Sequence, residues 1–157
     1  MGFFDKFKSS SNSEPERNIY IPKSEQEAFI AIMYSCLMID GQNSDAENDM
    51  LARIGVMKSF FREYDYIEGL ARPAINAYNK FGSKTVIDYC VSKIAEENKP
   101  SLLCFVIDIA MADGILADNE KNIIEYLISK LEMSDDLASK IIEVMMYKNK
   151  WNVLISD

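Results

Sequence analysis

Two copies of one pattern, D-G-x-x-x-D-x-E, limit what this chain can fold into. The first is Asp40-Gly41 with Asp45 and Glu47, and the second is Asp113-Gly114 with Asp118 and Glu120. The copies stand 73 residues apart, each closing an apolar run and opening a segment of helical periodicity. A glycine after an apolar helix is suited to end it in a left-handed conformation. Acidic residues just beyond suit the start of a second helix. The chain therefore reads as a duplicated helix–loop–helix with three carboxylates at each bend.

The same register extends outward from the bends. Residues 28–39 fall on 101–112, so that Ala31 meets Cys104, Ser35 meets Asp108 and Met38 meets Met111. Beyond the bends, Met50 and Leu51 meet Ile123 and Ile124. Two such units could hardly bury their apolar helices alone, which predicts a pseudo-twofold pairing between them. One position breaks the pattern: Ser44, a good N-cap with Glu47 three residues on, becomes Ala117. The second bend must cap its helix otherwise, with Asp113 or Asp118 as the candidates.

The remaining punctuation is helical. Ser24 with Glu27 forms a capping-box pattern that opens a helix over 25–39. A helix over 45–61 follows the first bend. The middle of the chain predicts helices over 64–72, 73–80 and 84–97, with Pro73 and Gly82 between them. Pro100 opens the run SLLCFVIDIAMA, apolar almost all round and predicted to be the buried centre. Helices over 118–131 and 134–148 follow, and residues 151–155 are expected to fold back as a short tail. Sustained apolar–polar alternation is lacking, so the fold class is all-α, a compact bundle of about seven helices.

Composition removes several function classes. A net charge of −8 argues against direct nucleic-acid binding, which needs clustered Lys and Arg. No histidine is present, so the commonest general base and zinc ligand are missing. Cys36, Cys90 and Cys104 lie far apart in apolar runs, as buried free thiols do. The 48% apolar share is that of a soluble globular protein, and no run is long and apolar enough to span a bilayer.

Residues 1–17 divide into an amphipathic start, MGFFDKFK, and a Ser-rich linker; the helical domain takes 18–157. Phe3, Phe4 and Phe7 share one face of that start, beside Lys6 and Lys8. They would dock on the domain itself or touch a partner or a membrane surface.

The FFDK start and the two D-G units at 28–54 and 101–127 resemble the TerB family of tellurite-resistance proteins. The resemblance implies an all-helical, cytoplasmic, non-enzymatic protein of a bacterial stress response, peripheral to the inner membrane at most. It implies acidic bends that take a divalent cation, Ca²⁺ first and Mg²⁺ second, and partners among other tellurite-resistance proteins, one of them membrane-embedded.

The carboxylates themselves leave two readings open. Asp40 and Asp113 sit at the negative end of a helix dipole, an unfavourable place that needs compensation. Either they and Asp45, Glu47, Asp118 and Glu120 cap helices, or they ligate a hard cation through oxygen. An EF-hand is excluded, because its loop positions 1 and 3 would fall on Cys36 and Met38, or on Ile109 and Met111. Ligands would then be sparse and affinity weak. A carboxylate-pair hydrolase is a third reading, and it requires a pocket joining both bends and a raised carboxyl pKa. Asp108, set within the most apolar run, needs a hydrogen-bonded edge or a ligand.

Overall fold

The structure is a computed structural model that describes residues 19–152. Among the described residues seven α-helices carry the fold: α1 (Glu25–Leu37), α2 (Asp45–Met57), α3 (Arg72–Phe81), α4 (Ser83–Cys90), α5 (Lys99–Ala110), α6 (Asp118–Lys130) and α7 (Asp135–Lys148). Short 3-10 turns lie at Ser59–Phe61, Val91–Lys93 and Glu96–Asn98, and a π-helix spans Tyr66–Ala71. Among the described residues there is no strand, as the periodicity predicts. Phe3, Phe4 and Phe7 and the tail residues 153–155 lie outside the described residues.

α1 is buried on every side. Ala28 through Met33 are each at most 1% exposed, which a helix achieves only when neighbours surround it. Those neighbours are chiefly α3, α4, α5 and the π-helix, with α2 and α6 completing the ring. The sequence points to α5 as the buried centre; α5 is central, but its Cys104, Phe105 and Asp108 remain partly exposed, so α1 is the more enclosed helix. α2 follows α1 in the chain yet packs chiefly on α5, while α6 reaches across to α1. α6 also lies against α5 and α4.

Helix ends follow local chemistry where the partner is near in sequence. Ser24 Oγ accepts from Glu27 N–H (3.0 Å) and Ser134 Oγ from Leu137 N–H (3.2 Å). The Ser24 box stays half closed, because the buried Glu27 carboxylate accepts from Tyr20 instead. Gly41 and Gly114 both take positive φ, +73° and +81°, the conformation that glycine alone adopts without strain.

Three expected helices are shorter than their periodicity. α1 stops at Leu37 and α2 at Met57, each followed by a turn. The helix predicted over 84–97 ends at Cys90, because Ile94 and Ala95 are extended. A distant partner takes the groups a helix would have used: Glu25 Oε2 accepts from Ala95 N–H (2.8 Å) and from Asn98 Nδ2 (3.0 Å). The segment predicted as a helix over 64–72 is the π-helix, which runs directly into α3 with Pro73 in its first turn.

Asp108 finds its hydrogen-bonded edge. Its Oδ1 accepts from Lys148 Nζ (2.7 Å) and Asn149 Nδ2 (3.2 Å), tying α5 to the end of α7. Asn152 Nδ2 then reaches the Met111 carbonyl (2.9 Å), so the chain after α7 is fastened at the second bend. Trp151 does not fold back; it is 83% exposed.

Candidate functional site

The two bends meet through the N-terminal turns of α2 and α6. At the first, Ser44 N–H donates to Glu47 Oε1 (2.9 Å) and Glu47 N–H to Ser44 Oγ (3.1 Å), a closed capping box. At the second, Ala117 has no side-chain acceptor. Glu120 Oε1 still accepts from Ala117 N–H (3.1 Å), but Glu120 N–H turns to Asn119 Oδ1 (2.9 Å). Asn119 therefore caps the helix in place of the predicted Asp113 or Asp118. Ala117 has the extended backbone of a cap, φ −72° and ψ 158°. Ala117→Ser is expected to close the second box and raise stability by about 0.5–1 kcal/mol, read as a higher Tm by circular dichroism.

The third residues of α2 and α6 come near each other across the bends. The Glu47 and Glu120 carboxyls lie close enough to act on each other electrostatically. Glu47 is only 7% exposed and Glu120 is half-buried. One Glu120 oxygen is committed to Ala117 N–H, while Oε2 is buried without a hydrogen-bond donor from the protein. An orphaned carboxylate oxygen beside a second carboxylate is costly unless a proton or a cation lies between them.

The electrostatics agree. Burial pushes the Glu120 carboxyl up to about 7; the Ala117 N–H opposes this, and the charges of Glu47, Asp113 and Asp40 add to it. Glu47 is raised as well, first by burial and then by Asp113, against the hydrogen bonds from Ser44. Near neutral pH Glu120 is therefore about half protonated. Both glutamates sit at helix N-termini, where the macrodipole favours negative charge and lets the pair persist.

The six sequence-predicted carboxylates divide. Glu47 and Glu120 lie near each other. Asp113 and Asp40 act on them through charge, and Asp113 Oδ1 also accepts from Ile115 N–H (3.0 Å) in its own turn. Asp45 and Asp118 are exposed, and Asp118 faces Lys121 Nζ at 3.7 Å. Among the described residues no three Asp, Glu or Cys side chains close on one point at metal-ligating range. The donors at hand are all carboxylate oxygens, which suit Ca²⁺ or Mg²⁺ and not a soft metal.

The raised Glu120 carboxyl is one of the two features a carboxylate hydrolase needs. The other is a substrate cleft over the pair. The clefts at the end of α2, beside Tyr20 and between α6 and α7 are lined by other residues. Thiol chemistry has no support at neutral pH, since burial pushes both Cys36 and Cys90 up to about 12.

Sequence reasoning saw that Ala117 cannot cap but looked for the acceptor in Asp113 or Asp118 and passed over Asn119, whose Oδ1 takes the N–H of the next residue. It also passed over Gly55, whose position inside a helix was the available signal. A family model described as "Tellurite resistance protein TerB" matches residues 26–142, which takes in α1 through most of α7. No curated protein and no solved structure matches the chain.

Proposed function

The chain belongs to the TerB family of tellurite-resistance proteins, and on that premise we propose that it is a non-enzymatic binding protein whose partner contacts depend on a divalent cation. It would serve a bacterial tellurite-resistance and stress-response system, in the cytoplasm at the inner face of the membrane. Its partners would be other tellurite-resistance proteins, one of them membrane-embedded. Ca²⁺ is the preferred ion, because it tolerates irregular oxygen sets completed by water.

The observation that carries this reading is the orphaned Glu120 Oε2 beside the Glu47 carboxylate. A hard cation in place of the Glu120 proton would satisfy that oxygen and neutralise the repulsion of four carboxylates. Glu47 and Glu120 would hold the ion, with Asp113 and Asp40 adding charge and water-mediated contacts. Two direct ligands predict weak binding, in the range where millimolar metal is needed.

Titration calorimetry with Ca²⁺ and Mg²⁺ tests this on wild type and on D40N/D113N. Wild type is expected to give saturable heat, with affinity at least tenfold lower in the double variant. Absence of heat in both proteins at millimolar metal removes the cation from the function. The capping of α2 and α6 by the same two glutamates favours the second reading, a metal-independent interaction scaffold. On that reading D40N/D113N shifts Tm equally with Ca²⁺ and with chelator.

A further inference from the structure

The carboxylate pair occupies one end of α2, and a cleft of different chemistry lies at the other, roughly 15 Å away along the helix axis. The cleft has a volume of about 400 Å³ and is lined by Gly55, Met57, Lys58, Phe61, Arg62 and Tyr66 among others. Val56 and Met57 in its lining are 66% and 74% exposed, and Ile67, next in the chain to the lining Tyr66, is 62% exposed. Single exposed apolar side chains are ordinary, but three large ones beside one cleft mark an interaction surface.

The cleft is built at a cost. Gly55 stands inside α2, where glycine is roughly 1 kcal/mol worse than alanine. A Cβ at that position would fall 2.2 Å from the Tyr66 ring, so the glycine is what admits the ring against the helix. Tyr66 also opens the π-helix, a strained turn that is rare in proteins and concentrated at functional sites. Tyr66 packs its ring against the core cluster while the same residue lines the cleft, so the glycine and the π-helix together shape one wall of it.

Charge selects the occupant. The net charge of the chain is −8, yet the charged residues lining this cleft are Lys58 and Arg62, with no carboxylate. Among the described residues neither cation is paired with a carboxylate; Lys58 Nζ lies 5.7 Å from the Phe105 ring centroid. We propose that this cleft docks an acidic protein segment, with an apolar side chain of the segment anchored against Met57, Val56 and Ile67. A small anion would leave the apolar rim uncovered. An anionic membrane would meet the exposed Glu63 and Asp65 next to Arg62, whereas a peptide can place its charges around them.

The proposal deepens the partner half of the function above and is independent of its cation half. The test pans a phage-displayed library of random dodecapeptides against the full chain in EDTA. Selected sequences are expected to carry Asp and Glu around a Leu, Met, Phe or Trp anchor. The strongest one, synthesised with a fluorophore, should bind at least tenfold more weakly to K58E/R62E and to M57S, and equally well to D40N/D113N. All three cleft substitutions are at exposed side chains, and unchanged Tm verifies the fold. Selection of basic peptides, of none, or of peptides that keep their affinity for K58E/R62E overturns the proposal. So does sedimentation with phosphatidylglycerol vesicles that K58E/R62E abolishes while no peptide is selected. Failure of the calorimetry leaves this result standing, and the reverse also holds.

Discussion

Phe29→Ala is expected to destabilise the chain by about 3–5 kcal/mol, the range for removing a fully buried aromatic ring. Phe29 is 1% exposed and sits where three elements join. Its ring centroid is 4.8 Å from Phe60, 6.1 Å from Phe61 and 6.4 Å from Phe105, so one side chain ties α1 to the Ser59–Phe61 turn and to α5. The two nearly perpendicular contacts have the edge-to-face geometry that adds to area burial. At roughly 2–4 °C per kcal/mol for a domain of this size, Tm should fall by about 6–20 °C. Phe29→Leu keeps most of the volume and should lose less than half as much. A Tm within a few degrees of wild type for the alanine variant would mean that the turn after α2 is held by something other than this ring cluster.

That cluster also shows which features the sequence discloses and which it withholds. Interactions that close over three or four residues were legible. The Ser44–Glu47 box, the Ser134 cap and the two left-handed glycines each lie within one turn of their partners. The all-helical class followed from the same local periodicity. Hidden features depend on groups distant in the chain. The helix predicted through 97 stops at Cys90 because Glu25, 70 residues from Ala95, takes its N–H. Gly55 has no local meaning until Tyr66 is laid beside it.

The candidate site was legible to the same depth. The repeated motif drew attention to both bends, and the packing of the bundle brings Glu47 near Glu120. It could not separate these two from Asp45 and Asp118, which share the motif and face solvent. The difference is one of helical phase: the third residue of each helix turns toward the other bend and the first turns away. Ser35 shows the cost of imperfect repetition. It matches Asp108 in register but is fully buried, with its hydroxyl unpartnered, where Asp108 has Lys148.

The Glu120 proton leads to the second large expectation. Glu120 ordinarily would titrate near 4.5, and in the folded chain it does so at about 7. Between those values the folded state binds more protons than the unfolded state, so stability falls as pH rises and levels off above 7. This is opposite in sign to the usual carboxylate, whose stabilisation is lost on acidification. Because Glu120 is half-exposed, solvent screening reduces the effect to about 1 kcal/mol, or roughly 2–4 °C in Tm between pH 5 and pH 7.5. Glu120→Gln keeps a donor toward Glu47 without a titrating group, so the variant should melt higher than wild type at pH 7.5 and equally at pH 5. If a cation replaces the proton, Ca²⁺ should raise the wild-type Tm at pH 7.5 but not that of E120Q, and its apparent affinity should fall by up to about tenfold for each pH unit below 7. Equal melting of the two proteins across the range would show that no proton is held between the bends, and with it the reason for a cation there would go.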